Sequence, residues 1–127
     1  MRRAFICPSK YVQGENELLN LGYFVRQYGT SALLVATKSS VKRVREALDA
    51  TAAKFGVTFV ETDFQGECSR DEIARLGDLA RKHSCHCTVG LGGGKALDTA
   101  RCVAAGQGLI VVPTTAATDA PTSDSAV

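Results

Sequence analysis

The stretch His86-Cys87-Thr88-Val89-Gly90-Leu91-Gly92-Gly93-Gly94-Lys95 puts three consecutive glycines between a short apolar run and a segment of helical period. The run at 86–90 predicts a strand, and residues 95–105 predict a helix. Glycines at such a junction let the backbone turn sharply and let a ligand approach the N–H groups with no Cβ in the way. The amino end of the following helix adds unpaired donors and the positive end of its dipole. A diphosphate is the guest such a turn fits, with Gly92, Gly93, Gly94 and Lys95 as candidate ligands and Lys95 supplying a mobile point charge. The spacing departs from the G-x-G-x-x-G fingerprint because Lys95 takes the third glycine's place. It also departs from a P-loop, since Val89 stands five residues before Gly94 and Ala96 follows Lys95, so the leading glycine and the magnesium-binding hydroxyl are both missing. The plain alternative is a tight turn with a solvated lysine. Three adjacent glycines cost more conformational entropy than such a turn needs, which favours binding. Asp98 is expected in the first turn of the same helix, pointing away from the anion as a helix-stabilising residue.

Outward from this junction, apolar runs alternate with amphipathic stretches as in successive βα units, which predicts an α/β fold with a parallel, Rossmann-like sheet flanked by helices. The run Ser31-Ala32-Leu33-Leu34-Val35-Ala36 reads as a strand covered on both faces. Val41, Val44, Leu48, Ala52 and Phe55 then fall three or four apart and share a helix face. Val57-Thr58-Phe59-Val60 reads as a strand. Gly66 marks a stop, and Ser69 with Glu72 forms a capping-box pattern ahead of a helix whose buried stripe is Ile73, Leu76, Leu79 and Ala80. A last strand is expected at 109–112, before Pro113. Upstream, an opening strand is expected at 3–7, and Leu18, Leu21, Val25 and Tyr28 give a first helix its apolar face.

The chain has 127 residues with 45% hydrophobic content, enough for one domain with one core. A net charge of +2, spread without a basic stripe, does not imply nucleic acid. Behind Met1-Arg2-Arg3 the apolar run Ala4-Phe5-Ile6-Cys7 is far below the length of a signal core or membrane span, so the expectation is a cytoplasmic protein with no membrane partner. Five cysteines, an odd count, fit reduced and mostly buried thiols better than disulfides. His83-Ser84-Cys85-His86-Cys87 offers two thiols and two imidazoles, but a strand starting near Cys85 would turn the thiols to one side and His86 to the other, with no second ligand cluster to complete a tetrahedron.

These residues, with others, resemble the glycerol dehydrogenases of the iron-containing, or group III, alcohol dehydrogenase superfamily. The likeness runs through Pro8-Ser9-Lys10-Tyr11-Val12-Gln13-Gly14, Gly66-Glu67-Cys68-Ser69, Gly92-Gly93-Gly94-Lys95-Ala96-Leu97-Asp98-Thr99-Ala100 and Val112-Pro113-Thr114-Thr115-Ala116-Ala117-Thr118-Asp119-Ala120-Pro121. The glycine-lysine segment points to the superfamily, and Thr118-Asp119-Ala120-Pro121 narrows it to glycerol dehydrogenase. The resemblance implies an N-terminal dinucleotide-binding domain over 1–127 and a helical C-terminal domain. It implies zinc-dependent oxidation of glycerol or a related small polyol to dihydroxyacetone, with NAD as hydride acceptor. By that likeness Gly94 and Lys95 lie against the diphosphate, Thr114 contacts the nucleotide, Ser123 lies near the nicotinamide, and Asp119 meets the substrate hydroxyls. The zinc ligands, an aspartate and two histidines, and further strands of the sheet are expected beyond Val127. The fragment alone is then expected to be inactive, and the full-length enzyme to be a homo-oligomer.

The sequence departs from the family at the end of the strand at 31–36. Thr37, followed by Lys38, stands where an aspartate usually grips the adenosine ribose, which leaves room for NADP beside the expected NAD. Thr37 is therefore a further candidate cofactor ligand. Ala117 stands where a serine is common. Two rival readings are a nucleotide-binding module without catalysis and a lyase of the dehydroquinate-synthase type, the latter disfavoured by Thr118-Asp119-Ala120-Pro121.

Overall fold

The computed structural model describes residues 9–11, 15–105 and 107–113. Among these residues five strands, β1 (Ser9–Tyr11), β2 (Ser31–Val35), β3 (Thr58–Glu61), β4 (Cys87–Gly92) and β5 (Leu109–Pro113), form one sheet in the order β1-β5-β4-β2-β3, and every pairing is parallel. The sheet is thus the Rossmann-like one expected. The expected strand at 3–7 lies outside the described residues.

Among the described residues six helices cover the sheet: α1 (Glu15–Leu18), α2 (Leu21–Arg26), α3 (Lys38–Arg43), α4 (Arg45–Phe55), α5 (Arg70–Lys82) and α6 (Gly94–Ala104). Alternation along the strands sends Ala32, Leu34, Cys87, Val89, Leu91, Ile110 and Val112 into one core with Leu18, Leu21, Val25, Val41 and Leu48. Leu33, Val35, Leu109 and Val111 point the other way, into a second core with Leu76, Ala96, Ala100 and Ala104. Strands buried on both faces explain the unbroken apolar runs. They also fix which side each helix takes, with α1 to α4 on one face and α5 and α6 on the other.

Several boundaries differ from the sequence reading. The first helix divides into α1 and α2 around Leu19 and Asn20, and the second into α3 and α4 at Val44, whose φ of −118° and ψ of 19° leave the helical range. Neither break carries a Gly or Pro, and the buried face is preserved across both. β3 begins one residue late because the Val57 N–H still bonds the Ala52 carbonyl at the end of α4. Phe64, only 3% exposed, plugs the second core from the loop after β3, a role its polar neighbours hid. The capping box is half made. Ser69 Oγ accepts the Glu72 N–H at 3.1 Å, but the Glu72 carboxylate takes two donors from Arg75 at 2.8 Å.

α6 sits unusually close to β4. A Cβ on Gly90 would lie 2.7 Å from Ala100 Cβ, so glycine at 90 and alanine at 96, 100 and 104 together let the helix backbone rest on the strand. That close seating sets where the amino end of α6 emerges.

Candidate functional site

In a parallel sheet the loops at the carboxyl ends of the strands form the ligand crevice, and the natural seat is where neighbouring strands send their helices to opposite faces. Here that point lies between β2 and β4. They pair directly, with Val35 opposite Gly90, yet β2 feeds α3 on one face and β4 feeds α6 on the other. The glycine cluster lies at this switch point, although its division differs from the sequence reading. Gly90, Leu91 and Gly92 are still strand, Gly93 is the N-cap and Gly94 begins the helix.

Each glycine has its own reason. Gly92 has φ of +128°, a conformation that disfavours any side chain, and a Cβ there would come 3.1 Å from Ser40 Oγ. Gly94 is the opposite case. A Cβ there would meet nothing within 4 Å, so no packing within the described structure requires glycine at that position. The space in front of it is open. With Gly93 as N-cap there is no side chain to cap α6, and the first-turn N–H groups of Gly94, Lys95 and Ala96 have no intrahelical acceptor. By contrast, Thr37 caps α3 and Ser69 caps α5 with hydroxyl oxygens. The free donors and the dipole of α6 therefore face an open space at the switch point, an arrangement that fits an anionic diphosphate.

Lys95 is exposed, and its Nζ lies 3.6 Å from Glu67 Oε1. Exposed pairs of this kind contribute about 0–1 kcal/mol, so Glu67 holds the ammonium beside the turn without locking it. Glu67 belongs to the Gly66-Glu67-Cys68-Ser69 motif, but nothing in that motif signals that it meets Lys95. Ser40, packed against Gly92, was likewise missed and carries no sequence signal of its own. Thr37 stands at the same edge, where its Oγ1 accepts the Ser40 N–H at 3.3 Å and donates to Ser40 Oγ at 3.1 Å. Gly92, Gly93, Gly94, Lys95 and Thr37 are thus brought together. Thr114, Asp119 and Ser123, with Ala117, lie outside the described residues.

Asp98 is not in the first turn of α6 but in the next, because the helix starts at Gly94. It is exposed and pairs with Arg101 at 3.2 Å. The strand β4 begins only at Cys87, so the expected alternation does not reach back to Cys85. Cys87 packs in the first core and Cys85 against the second. His86 Nδ1 accepts the backbone N–H groups of Thr30 and Ser31 at 3.1 and 3.3 Å, tying the start of β4 to β2. Among the described residues no group of three or more His, Cys, Asp or Glu is placed to hold a metal ion, and no helix is long and apolar enough to cross a membrane.

The four described thiols are less uniformly buried than expected, and Cys7 lies outside the described residues. Cys68 and Cys102 are exposed, Cys85 is half-buried and Cys87 is buried. Burial, with a smaller contribution from neighbouring Cys85, pushes the Cys87 thiol up to about 12. Alkylation of the native protein near pH ~8 should therefore label Cys68 and Cys102 rapidly and Cys87 only on unfolding. Mass spectrometry of the digested protein reads this out, and Cys87 labelled as fast as Cys102 would contradict the packing.

Comparison with known proteins gives an independent view. The sequence model of the iron-containing alcohol dehydrogenase family matches residues 8–127. A glycerol dehydrogenase of Pseudomonas putida is 40% identical over 125 residues, covering 97% of this chain and 34% of the relative. A glycolaldehyde reductase of Halobacterium salinarum is 37% identical over 129 residues, covering 100% of this chain and 35% of the relative. Among solved structures, the glycerol dehydrogenase from Schizosaccharomyces pombe superposes with a TM-score of 0.74 at 29% identity, over 94% of this chain and 31% of that one. The chain spans about a third of the length of the curated relatives it matches.

Proposed function

Since the chain belongs to the iron-containing alcohol dehydrogenase family, we propose that it forms the dinucleotide-binding part of an oxidoreductase that oxidises glycerol or a related small polyol to the ketone. The observation that carries this reading is the uncapped amino end of α6, held over the switch point with open space before Gly94. The N–H groups of Gly94, Lys95 and Ala96 donate to the diphosphate, and the Lys95 ammonium leaves Glu67 to neutralise it. Gly92 and Gly93 keep side chains out of the path. Thr114 is assigned to the nucleotide, Ser123 to its nicotinamide end and Asp119 to the polyol hydroxyls by the resemblance alone.

The bound nicotinamide dinucleotide supplies the acceptor for the hydride that leaves the carbinol carbon, while the hydroxyl proton passes to solvent. The chain's own contribution is to fix the dinucleotide at one end so that its reactive ring and the polyol meet in one geometry. The zinc that the resemblance implies would take its ligands from outside the described residues and would stabilise the developing alkoxide. An assembly of several copies and a cytoplasmic location are part of the same proposal.

The test is steady-state oxidation of glycerol by the full protein, followed as reduced nicotinamide. Lys95→Ala should raise the dinucleotide KM by about tenfold or more, the loss of one charge-assisted contact, with the melting temperature unchanged. Turnover with an unaltered dinucleotide KM in that variant would count against Lys95 as a ligand. Tight dinucleotide binding without oxidation of any small polyol would favour a binding module.

A further inference from the structure

A cleft of about 590 Å³ opens beside the glycine turn, between α3 and the end of β3. Lys38 and Lys42 line one wall, Glu61 and Asp63 the other, and Arg45 also contributes to it. The charges do not balance evenly. Both Glu61 oxygens are taken by the Arg45 guanidinium at 2.7 and 2.8 Å, which holds the Glu61 carboxyl below the usual carboxylate range. Asp63 lies close enough to Arg75 for its charge to favour that guanidinium. Lys38 and Lys42, both exposed, have neither an ion pair nor a side-chain hydrogen bond among the described residues. The cleft therefore presents two ammonium groups without ion-pair partners on the wall that begins at Thr37, facing the single unpaired carboxylate of Asp63 across it.

That wall adjoins the diphosphate turn. Ser40 Oγ lies 3.1 Å from the Cβ position of Gly92, and β2 pairs with β4, so the turn at 37–40 stands immediately beside the glycine turn. A dinucleotide whose diphosphate lies over residues 93–96 and which extends towards β3 brings its adenosine ribose to Thr37 and Lys38. In doubly wound folds a carboxylate at such a strand end accepts the ribose 2′-hydroxyl, whereas a cation accommodates a 2′-phosphate. Residues 36–44 contain no carboxylate and three basic side chains, Lys38, Lys42 and Arg43, with Lys38 nearest the strand end. The Thr37 hydroxyl is already committed to Ser40.

We infer that this site selects the 2′-phosphorylated dinucleotide, NADP, over NAD, with Lys38 and Lys42 setting the preference; the inference rests on the dinucleotide reading above. A 2′-phosphate carries close to two negative charges, and the two mobile ammonium groups beside Thr37 attract it where a carboxylate at that strand end would repel it.

Calorimetric titration of the full protein with NADP and with NAD tests this, in the wild type, in Lys38→Gln/Lys42→Gln and in Thr37→Asp. Both changes suit the fold, since the lysines are exposed and aspartate is an equally good N-cap. The wild type should bind NADP about tenfold or more tighter than NAD, the lysine pair variant should lose most of that ratio, and Thr37→Asp should reverse it. NAD bound as tightly as NADP, or a ratio untouched by removing both lysines, would overturn the inference and leave the dinucleotide site intact. A folded wild type that binds neither would overturn the underlying reading instead.

Discussion

Gly94→Val should weaken dinucleotide binding by about a hundredfold while leaving the melting temperature unchanged or slightly raised. The expectation comes from two facts about one position. A Cβ at 94 meets no atom of the described structure within 4 Å, so the folded state accepts a side chain there. The residue opens α6, where valine is a better helix former than glycine. The same empty space is where the diphosphate reaches the first-turn N–H groups. A valine there separates the anion from at least two charge-assisted hydrogen bonds worth about 1.5–3 kcal/mol each, and the low end of that range already gives about a hundredfold loss. Titration calorimetry and a thermal melt on the same sample decide it. A variant that binds as the wild type does would remove Gly94 from the site.

Gly90→Val, four residues away, should do the reverse and act first on stability. Its Cβ would lie 2.7 Å from Ala100 Cβ, well inside contact distance, so α6 must lift from β4. Overpacking of this kind costs about 1–3 kcal/mol or more, enough to lower the melting temperature on the order of 10 °C. Gly90→Ala combined with Ala100→Gly moves the methyl group across the same contact and should cost less than the two single changes added together. A melt of Gly90→Val within about 2 °C of the wild type would show that helix and strand are not in the close contact described here.

The contrast between these two glycines shows what the sequence could and could not convey. It displayed a run of glycines at a strand-helix junction, and the alternation of apolar runs with helical stretches was enough for the parallel sheet. It could not show that Gly90 serves packing, Gly92 serves backbone conformation and Gly94 serves neither, because those reasons depend on Ala100 and Ser40 arriving from other elements. The helix breaks near Leu19 and at Val44 were hidden because no glycine or proline marks them. Asp98 was placed one turn too early because the helix start was set by pattern and not by its cap. Glu67 stood in a recognised motif, yet its approach to Lys95 needs the loop after β3 to fold back over β4's end. His86 and the cysteines illustrate the opposite hazard. A dense set of ligand-type side chains in sequence separates once the strand begins at Cys87, with His86 spent on the backbone of residues 30 and 31.

The most direct measurement is an amide NMR titration of the full protein, selectively labelled at glycine, lysine and alanine, with NADP or NAD. If the turn between β4 and α6 binds the diphosphate, the largest shifts will fall on the N–H groups of Gly93, Gly94, Lys95 and Ala96, saturating with the calorimetric affinity. Saturable binding that leaves those four amides in place while others move would contradict that assignment.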